Sequence, residues 1–177
     1  MSRCSKIVAA DPEAAAWALG EHLDALWASG RPAALGWRRF QLDALRWVVV
    51  MPATDAAGRR SQFFVRIDGR RYDHWPPEVQ FVAPETWEPV SEGRWWPDAD
   101  PLADPGRPPW FGLHPSYDFH DGDPRPLVCF SHALGYYECH EAPRLDVEWA
   151  QGEHTVAATL DRVAEILSPP YFKGPSR

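Results

Sequence analysis

Five prolines lie between positions 97 and 109, and they constrain the fold more than any other stretch of the chain. Proline fixes its own φ angle and has no N–H to donate, so this density of proline forbids regular structure there. The surrounding segment, residues 83–113, also carries four tryptophans and is too apolar to be a disordered linker. We therefore expect an ordered, partly buried, irregular insertion at 83–113.

A helix is predicted near the N-terminus. Residues 11–13 read Asp-Pro-Glu, which combines an N-cap carboxylate, a proline at the first helical position and an acid in the first turn. Leu19, Leu23 and Leu26 follow at helical spacing, and Gly30 is expected to end the helix.

Three β-strands are predicted between this helix and the insertion. Residues 45–51 contain a β-branched run typical of a buried strand, and residues 62–67 form a return strand after a turn that contains Gly58. Residues 78–82 alternate polar and apolar side chains. Together these segments predict an antiparallel meander behind the helix.

A second helix is predicted near the C-terminus. Residues 156–167 carry apolar side chains at i, i+4, i+7 and i+11, and Thr155 is a candidate N-cap. The tail at 172–177 is expected to be loose. Helices at both ends of a meander predict the α+β class.

The composition limits the classes of function. The chain has 177 residues, enough for a single domain over 1–177 with a real core. Its 18 basic and 25 acidic side chains leave a net charge of −7, which argues against a nucleic-acid surface. No apolar run reaches membrane-spanning length, and three cysteines without an export signal fit a reducing compartment. We therefore expect a cytoplasmic protein that binds neither nucleic acid nor membrane.

Cys129 is the first candidate for chemistry. It lies among the apolar residues 127–130, shortly after a turn at 121–123, on what we expect to be a short extended segment leaving a loop. Most cysteines in such surroundings are core residues without chemistry, so a structural role stays open. Cys139, which is followed by His140, is the rival nucleophile.

The same region raises the alternative of a zinc site. Cys129 and His132 make a Cys-x2-His step, and Cys139 and His140 make an adjacent pair. Adjacent ligands are awkward for one tetrahedral centre, and the usual paired Cys-x2-Cys is missing. We predict no metal and no cofactor, and keep a Cys/His zinc-binding protein as an alternative.

The order of these parts, together with several short motifs, resembles the ubiquitin-conjugating (E2) family. Residues 75–81 read Trp-Pro-Pro-Glu-Val-Gln-Phe, similar to the family's Pro-Pro-x-Val-x-Phe, and residues 114–116 read His-Pro-Ser where the family has His-Pro-Asn. Residues 122–130 resemble its Gly-x-Ile-Cys-Leu in a stretched form, and Trp149 with the following helix resembles the family's Trp and helix. The resemblance spans roughly residues 10–170. It implies a UBC-like fold with an N-terminal helix, an antiparallel meander sheet, an active-site loop and a C-terminal helix.

The resemblance also implies an activity. An E2-like enzyme carries a ubiquitin-like protein as a cysteine thioester and transfers it to an amine, here with Cys129, His114 and Ser116 as the catalytic residues. The implied partners are a ubiquitin-like protein and an E1-like adenylating enzyme, with a JAB-type peptidase as a further candidate. The alternative is a catalytically inactive UBC-fold module that binds a partner in such a system.

Several departures from the family pattern indicate a divergent, bacterial E2-like protein. The insertion at 83–113 is longer than the usual link, and His114 and Cys129 are 15 positions apart, wider than in the eukaryotic enzymes. Ser116 replaces the asparagine to which the family assigns ordering of the loop and stabilisation of the oxyanion. Loss of an oxyanion donor typically costs about 10²–10³ in rate.

Other side chains near Cys129 could assist the reaction. An ordinary thiol has a pKa of about 8.5 and is only a few per cent thiolate at neutral pH, so a nearby imidazole of His114, His120 or His132 would help. Three acids could orient or deprotonate an incoming lysine, or simply form a solvated turn: Asp118, Asp121 and Asp123.

The tryptophans allow two interpretations. Five of them could line a groove for a partner, but core and loop-pinning roles are more common and we favour those. They are Trp75, Trp87, Trp95, Trp96 and Trp110.

Overall fold

The computed structural model describes residues 10–119, 122–139 and 148–177. Its elements in chain order are α1 (Pro12–Ala28), α2 (Arg31–Ala34), β1 (Arg38–Gln41), β2 (Arg46–Thr54), β3 (Arg60–Asp68), β4 (Glu78–Phe81), β5 (Pro97–Ala99), β6 (Gly112–Asp118), β7 (Pro124–Cys129), α3 (Leu134–Cys139), α4 (Val156–Ile166) and β8 (Phe172–Pro175), with a 3₁₀ turn at Gly93–Trp95. This is a mixed helix and sheet structure with an N-terminal helix and a four-stranded antiparallel sheet, as the α+β prediction requires.

The predicted N-terminal helix is confirmed as α1. The Asp11 carboxylate accepts hydrogen bonds from the backbone N–H groups of Glu13 and Ala14 at 3.0 and 2.9 Å, which satisfies two donors that the first turn leaves unpaired. Leu19 and Leu23 are fully buried on one side of the helix. The cap fixes where the helix begins, and the leucines decide which side faces the core.

The predicted meander is present and is one strand larger than expected. The sheet order is β1-β2-β3-β4, with every neighbouring pair antiparallel. β2 and β3 pair along nine positions, from Arg46 opposite Asp68 to Thr54 opposite Arg60. The sequence prediction missed β1, because its four residues include two arginines and show no clear alternation.

One face of the sheet carries the core. Val49, Met51, Phe63 and Val65 are fully buried on this face, in one cluster with apolar side chains of α1 and α4. Pairing inside the sheet and burial of this face position every other element.

The insertion and the tail are joined to each other, which the sequence did not predict. Pro97–Ala99 forms β5, so the expectation that residues 97–109 hold no regular structure is wrong for their first three positions. β5 pairs antiparallel with β8, so the expected loose tail is also wrong. Phe172 at the start of β8 is 1% exposed, in edge-to-face contact with Phe63. Burial of this ring provides the driving force that a bare tail would lack.

The tryptophans of the insertion pack against the sheet. Trp96 is 3% exposed and contacts Phe81 with ring centroids 5.7 Å apart. On the other face, Trp87 and Trp95 contact Phe64 at 6.0 and 5.2 Å. These contacts are the core and loop-pinning roles that the sequence analysis favoured.

Tyr72 connects three parts of the structure. Its hydroxyl lies 2.6 Å from Nδ1 of His22 on α1 and accepts a hydrogen bond from the backbone N–H of Val156 at 2.9 Å. Val156 is the first residue of α4, and Thr155 caps that helix as predicted. Trp149 packs on the Tyr72 ring and donates its indole N–H to the Asp73 carbonyl. The loop after β3 is thereby tied to both long helices.

Replacing Tyr72 with Phe tests this connection. Tyr72→Phe removes the acceptor of a buried N–H, and the free energy of unfolding should fall by about 1–3 kcal/mol. Urea unfolding followed by tryptophan fluorescence measures the change. His22→Ala leaves the bond to Val156 in place and should cost less; an unchanged stability of Tyr72→Phe would contradict the proposed role.

His132 is a buried titratable group beside α4. It is 9% exposed, and its ring centroid lies 4.6 Å from that of His154 and 6.0 Å from that of Trp149. Burial, with smaller contributions from His154 and Arg162, lowers the pKa of His132 from 6.5 to about 4. The folded protein therefore holds this imidazole neutral.

The shift predicts a stability that depends on pH. The unfolded chain binds the proton near pH 6.5 and the folded chain only near pH 4, so the contribution of His132 is complete above pH 6.5 and is lost as the pH falls towards 4. Between pH 7 and pH 5, the free energy of unfolding should fall by about 2 kcal/mol more in the native protein than in His132→Phe, which keeps a ring but cannot titrate. Urea titrations at the two pH values measure the difference, and parallel losses would contradict it.

Candidate functional site

Strands β6 and β7 form an antiparallel hairpin that carries two of the predicted site residues on one face. Gly112 lies opposite Cys129, and His114 lies opposite Leu127. Residues directly opposite each other point to the same face of a hairpin, and so do residues two apart on one strand. A Cβ at Gly112 would lie 2.7 Å from Nε2 of His114, so the imidazole covers the glycine that faces Cys129. The absence of a side chain at Gly112 makes room for the ring.

Ser116 occupies a bulge in the same strand. The register of the hairpin shifts between His114 and Tyr117, and Pro115 and Ser116 form the irregular step. Proline suits a bulge because no ladder N–H is required there. Ser116 is exposed at this position, on the strand that also carries His114.

The sulfur of Cys129 is buried. The predicted extended segment is confirmed as β7, but Cys129 at its end is 6% exposed, in an apolar cluster with Phe119 and Leu127. A cysteine that forms a thioester must be reachable by its reactants, and Cys129 is not reachable in the structure described. Burial, with a smaller contribution from Cys139, raises the pKa of the Cys129 thiol from 9.0 to about 12. The low polarity of the cluster disfavours the thiolate.

Cys139 lies beside Cys129 and is less buried. It is the last residue of α3 and is half-buried against the same cluster. Burial raises the pKa of Tyr117, and the neighbouring Cys139 thiol raises it further. The structure therefore brings both candidate nucleophiles into one group under a tyrosine.

Aromatic rings cover this group of sulfurs. Tyr117 packs against Phe119 with centroids 5.3 Å apart, and Tyr136 also packs on the cluster. The guanidinium of Arg125 lies 3.7 Å from the Phe119 ring centroid. The His114 ring contacts the Tyr117 ring with centroids 5.6 Å apart. An approaching acyl group would have to displace this cover before it reached Cys129.

The other assisting residues named from the sequence are dispersed. His132 belongs to the cluster around Trp149 and not to the cluster of Cys129. Asp118 and Asp123 are exposed. His120, Asp121 and His140 lie outside the described residues, as does Cys4.

The zinc alternative gains no support from the described part of the chain. Within residues 10–119, 122–139 and 148–177, no group of three or more His, Cys, Asp or Glu side chains is arranged to hold a metal ion. Cys129, His132 and Cys139 are all described and do not form such a group.

Sequence reasoning missed the covering residues and the role of Gly112. The alternation of Gly112 and His114 with apolar neighbours was a usable signal, because it puts both on one strand face. No local signal predicts that Tyr117 and Tyr136 cover the sulfurs, since these contacts join β6 and α3 across the fold.

Comparison with known proteins does not assign the chain to a family. No protein-family model matches the chain, and no curated protein matches it. In the described ranges, every helix is too short or too polar to cross a lipid bilayer. The function must therefore be argued from the site itself.

Cysteine alkylation tests the burial of Cys129. A thiol of pKa about 12 is about 10⁻⁴ thiolate at pH 8, against roughly a quarter for an ordinary thiol of pKa about 8.5. In native protein, iodoacetamide should modify Cys129 at least about 10²-fold more slowly than in urea-unfolded protein. Peptide mass spectrometry distinguishes the sites, and Cys139 in the same molecule serves as the half-buried control. Equal native rates at the two cysteines would contradict the burial.

Proposed function

We propose that the protein is an E2-like carrier, which accepts a ubiquitin-like protein as a cysteine thioester and transfers it to an amine. The fold is compatible with this function: α1 precedes an antiparallel meander, a hairpin with the His-Pro and Cys segments follows, and α4 lies near the C-terminal end. The finer UBC-like description is part of the proposal.

The observation that carries the proposal is the shared face of the hairpin β6–β7. His114 covers the glycine opposite Cys129, although 15 positions separate the two residues in the chain. An imidazole near a thiol can accept its proton, which increases the thiolate available for attack. Ser116, exposed in the adjacent bulge, is the candidate donor to the oxyanion in place of the family's asparagine.

The proposed reaction has two steps, loading of the cysteine and transfer to an amine. The thiolate attacks the thioester carbonyl of the ubiquitin-like protein on the adenylating enzyme, and that enzyme's thiolate leaves. An amine then attacks the new thioester and releases the cysteine thiolate. Because Cys129 is buried, loading requires the cover of Tyr117 and Phe119 to move aside, and the half-buried Cys139 is the neighbouring alternative.

The burial of Cys129 favours a second candidate function. A Cys129 thiol with a pKa of about 12 is suited to a core position, and the protein would then be a catalytically inactive UBC-fold module. Such a module would bind a partner in a ubiquitin-like system without forming a covalent bond.

A loading assay separates the two functions. The protein is incubated with ATP and with the adenylating enzyme and ubiquitin-like protein encoded nearest to it, and a gel without reductant follows. We expect an adduct that dithiothreitol removes, that disappears in Cys129→Ala and that persists in Cys139→Ala. His114→Ala should slow its formation at least about tenfold, whereas His74→Ala, at an exposed histidine outside the hairpin, should not.

Two other outcomes of the loading assay would change the proposal. An adduct lost only in Cys139→Ala would move the nucleophile to Cys139 and leave Cys129 a structural role. The absence of any reducible adduct, with the adenylating enzyme itself loaded in the same reaction, would overturn the carrier and support the binding module.

A further inference from the structure

The structure contains a polar cavity of about 510 Å³ that neither of the two cysteines lines. It is lined by residues of β3, β4, β7 and α3, on the face of the sheet opposite the apolar core. Its volume is in the range of ordinary small-ligand sites, which is roughly 300–1,000 Å³. Four arginines and three acidic residues line it, and neither Cys129 nor Cys139 does.

The acids of the cavity already have basic partners. Arg70 contacts Asp68 at 3.0 Å and Glu78 at 3.5 Å. Arg71 contacts Glu138 at 2.8 Å. These pairs compensate the negative charge of the wall.

Arg66 differs from Arg70 and Arg71, because it has no carboxylate partner among the residues that the structure describes. Its Nη1 donates to the carbonyl oxygen of Trp87 at 3.0 Å, while its Nε is buried and meets no acceptor in the described ranges. It forms no ion pair with a carboxylate of the residues that the structure describes. A half-buried guanidinium without a counter-ion is costly, so the site favours an anion.

Gln80 supplies the complementary group. It is 5% exposed, and its Nε2 donates to Glu78 Oε1 at 3.3 Å and to the Pro126 carbonyl at 3.2 Å. Both neighbours are acceptors, which fixes the orientation of the amide and identifies the other atom as Oε1. That oxygen is buried and receives no hydrogen bond from the described residues.

The two unsatisfied groups are neighbours. Arg66 on β3 and Gln80 on β4 are directly opposite in the register, so their side chains stand side by side on the cavity face. One offers an N–H donor with positive charge and the other an acceptor. A matching ligand carries an anionic oxygen and an N–H donor a few ångströms apart. A carboxylate and an amide N–H on the same carbon, as at the last residue of a peptide, have this arrangement.

We infer that this cavity binds an N-acyl amino acid, such as the C-terminal residue of a peptide chain, with the carboxylate on Arg66 and the amide N–H on Gln80 Oε1. Buried polar groups are nearly always paired in native structures. Both atoms are covered by protein in this structure, so binding requires the two side chains to turn towards the cavity, where the ligand pairs with both. The inference does not depend on the thioester chemistry, because its two binding groups lie on β3 and β4 and not on the hairpin β6–β7.

Three small probes test the inference on the full chain. N-acetylglycine has both groups, N-acetylsarcosine lacks the N–H, and N-acetylglycinamide lacks the carboxylate. In ¹H–¹⁵N NMR titrations, N-acetylglycine should shift the Arg66 Nε–H and Gln80 Nε2–H₂ signals to saturation. Each of the other two should bind at least tenfold more weakly. Equal shifts with all three probes, or no shift of these signals with any of them, would overturn the inference.

Variants separate the site from general effects. Arg66→Gln should weaken N-acetylglycine binding at least tenfold, and Arg60→Gln, at an exposed arginine of the same strand outside this cavity, should leave it within twofold. If Arg66→Gln does not fold, Arg66→Lys and Gln80→Leu provide the same comparison. Unaltered binding in the folded variants would refute the assignment.

A longer probe identifies the source of the ligand. Acetyl-Ala-Ala-Gly with a free carboxylate should bind more tightly than N-acetylglycine if a peptide terminus is the ligand. Equal affinity would assign the cavity to small N-acyl amino acids, which is the other source of the same chemistry.

Discussion

Burial of one face of the four-stranded sheet against α1 and α4 holds the other elements in place. Val49, Met51 and Val65 are removed from water there together with the leucines of α1. Tyr72 joins α4 to this cluster. Its hydroxyl accepts a hydrogen bond from the first N–H of α4, and its ring packs on Trp149. From α4 the chain continues into β8, which pairs with β5 and holds the insertion. The positions of α4 and of the insertion at 83–113 therefore both depend on the same core.

Packing and chemistry compete at Cys129. The hairpin needs an apolar face at Leu127 and Cys129 to pack against Phe119, and the same packing removes the sulfur from water. Desolvation raises the thiol pKa to about 12. In the proposed carrier, reactivity would depend both on how readily the aromatic cover opens and on the imidazole of His114. Cys139 is held in the same group without such complete burial.

The two faces of the sheet have different roles. The core face is apolar. The opposite face, beside β7, carries Arg66 and Gln80, and in the described chain the Nε–H donor of Arg66 and the Oε1 acceptor of Gln80 have no hydrogen-bond partner. A well-packed fold rarely retains such a pair without a reason. The rigid strands hold both groups at a fixed spacing, which is what recognition of a small ligand requires.

The elements whose signals are local could be predicted from the amino-acid sequence. The Asp11 cap and the apolar period of residues 156–167 each predicted a helix correctly, because capping bonds and helical spacing act within a few residues. Tertiary structure alone decided that Arg38–Gln41 and Phe172–Pro175 are strands, since each depends on a partner strand elsewhere in the fold. It also decided that Cys129 is buried, because its cover comes from β6 and α3. Burial depends on contacts between segments that are distant in the sequence, so no local sequence pattern predicts it.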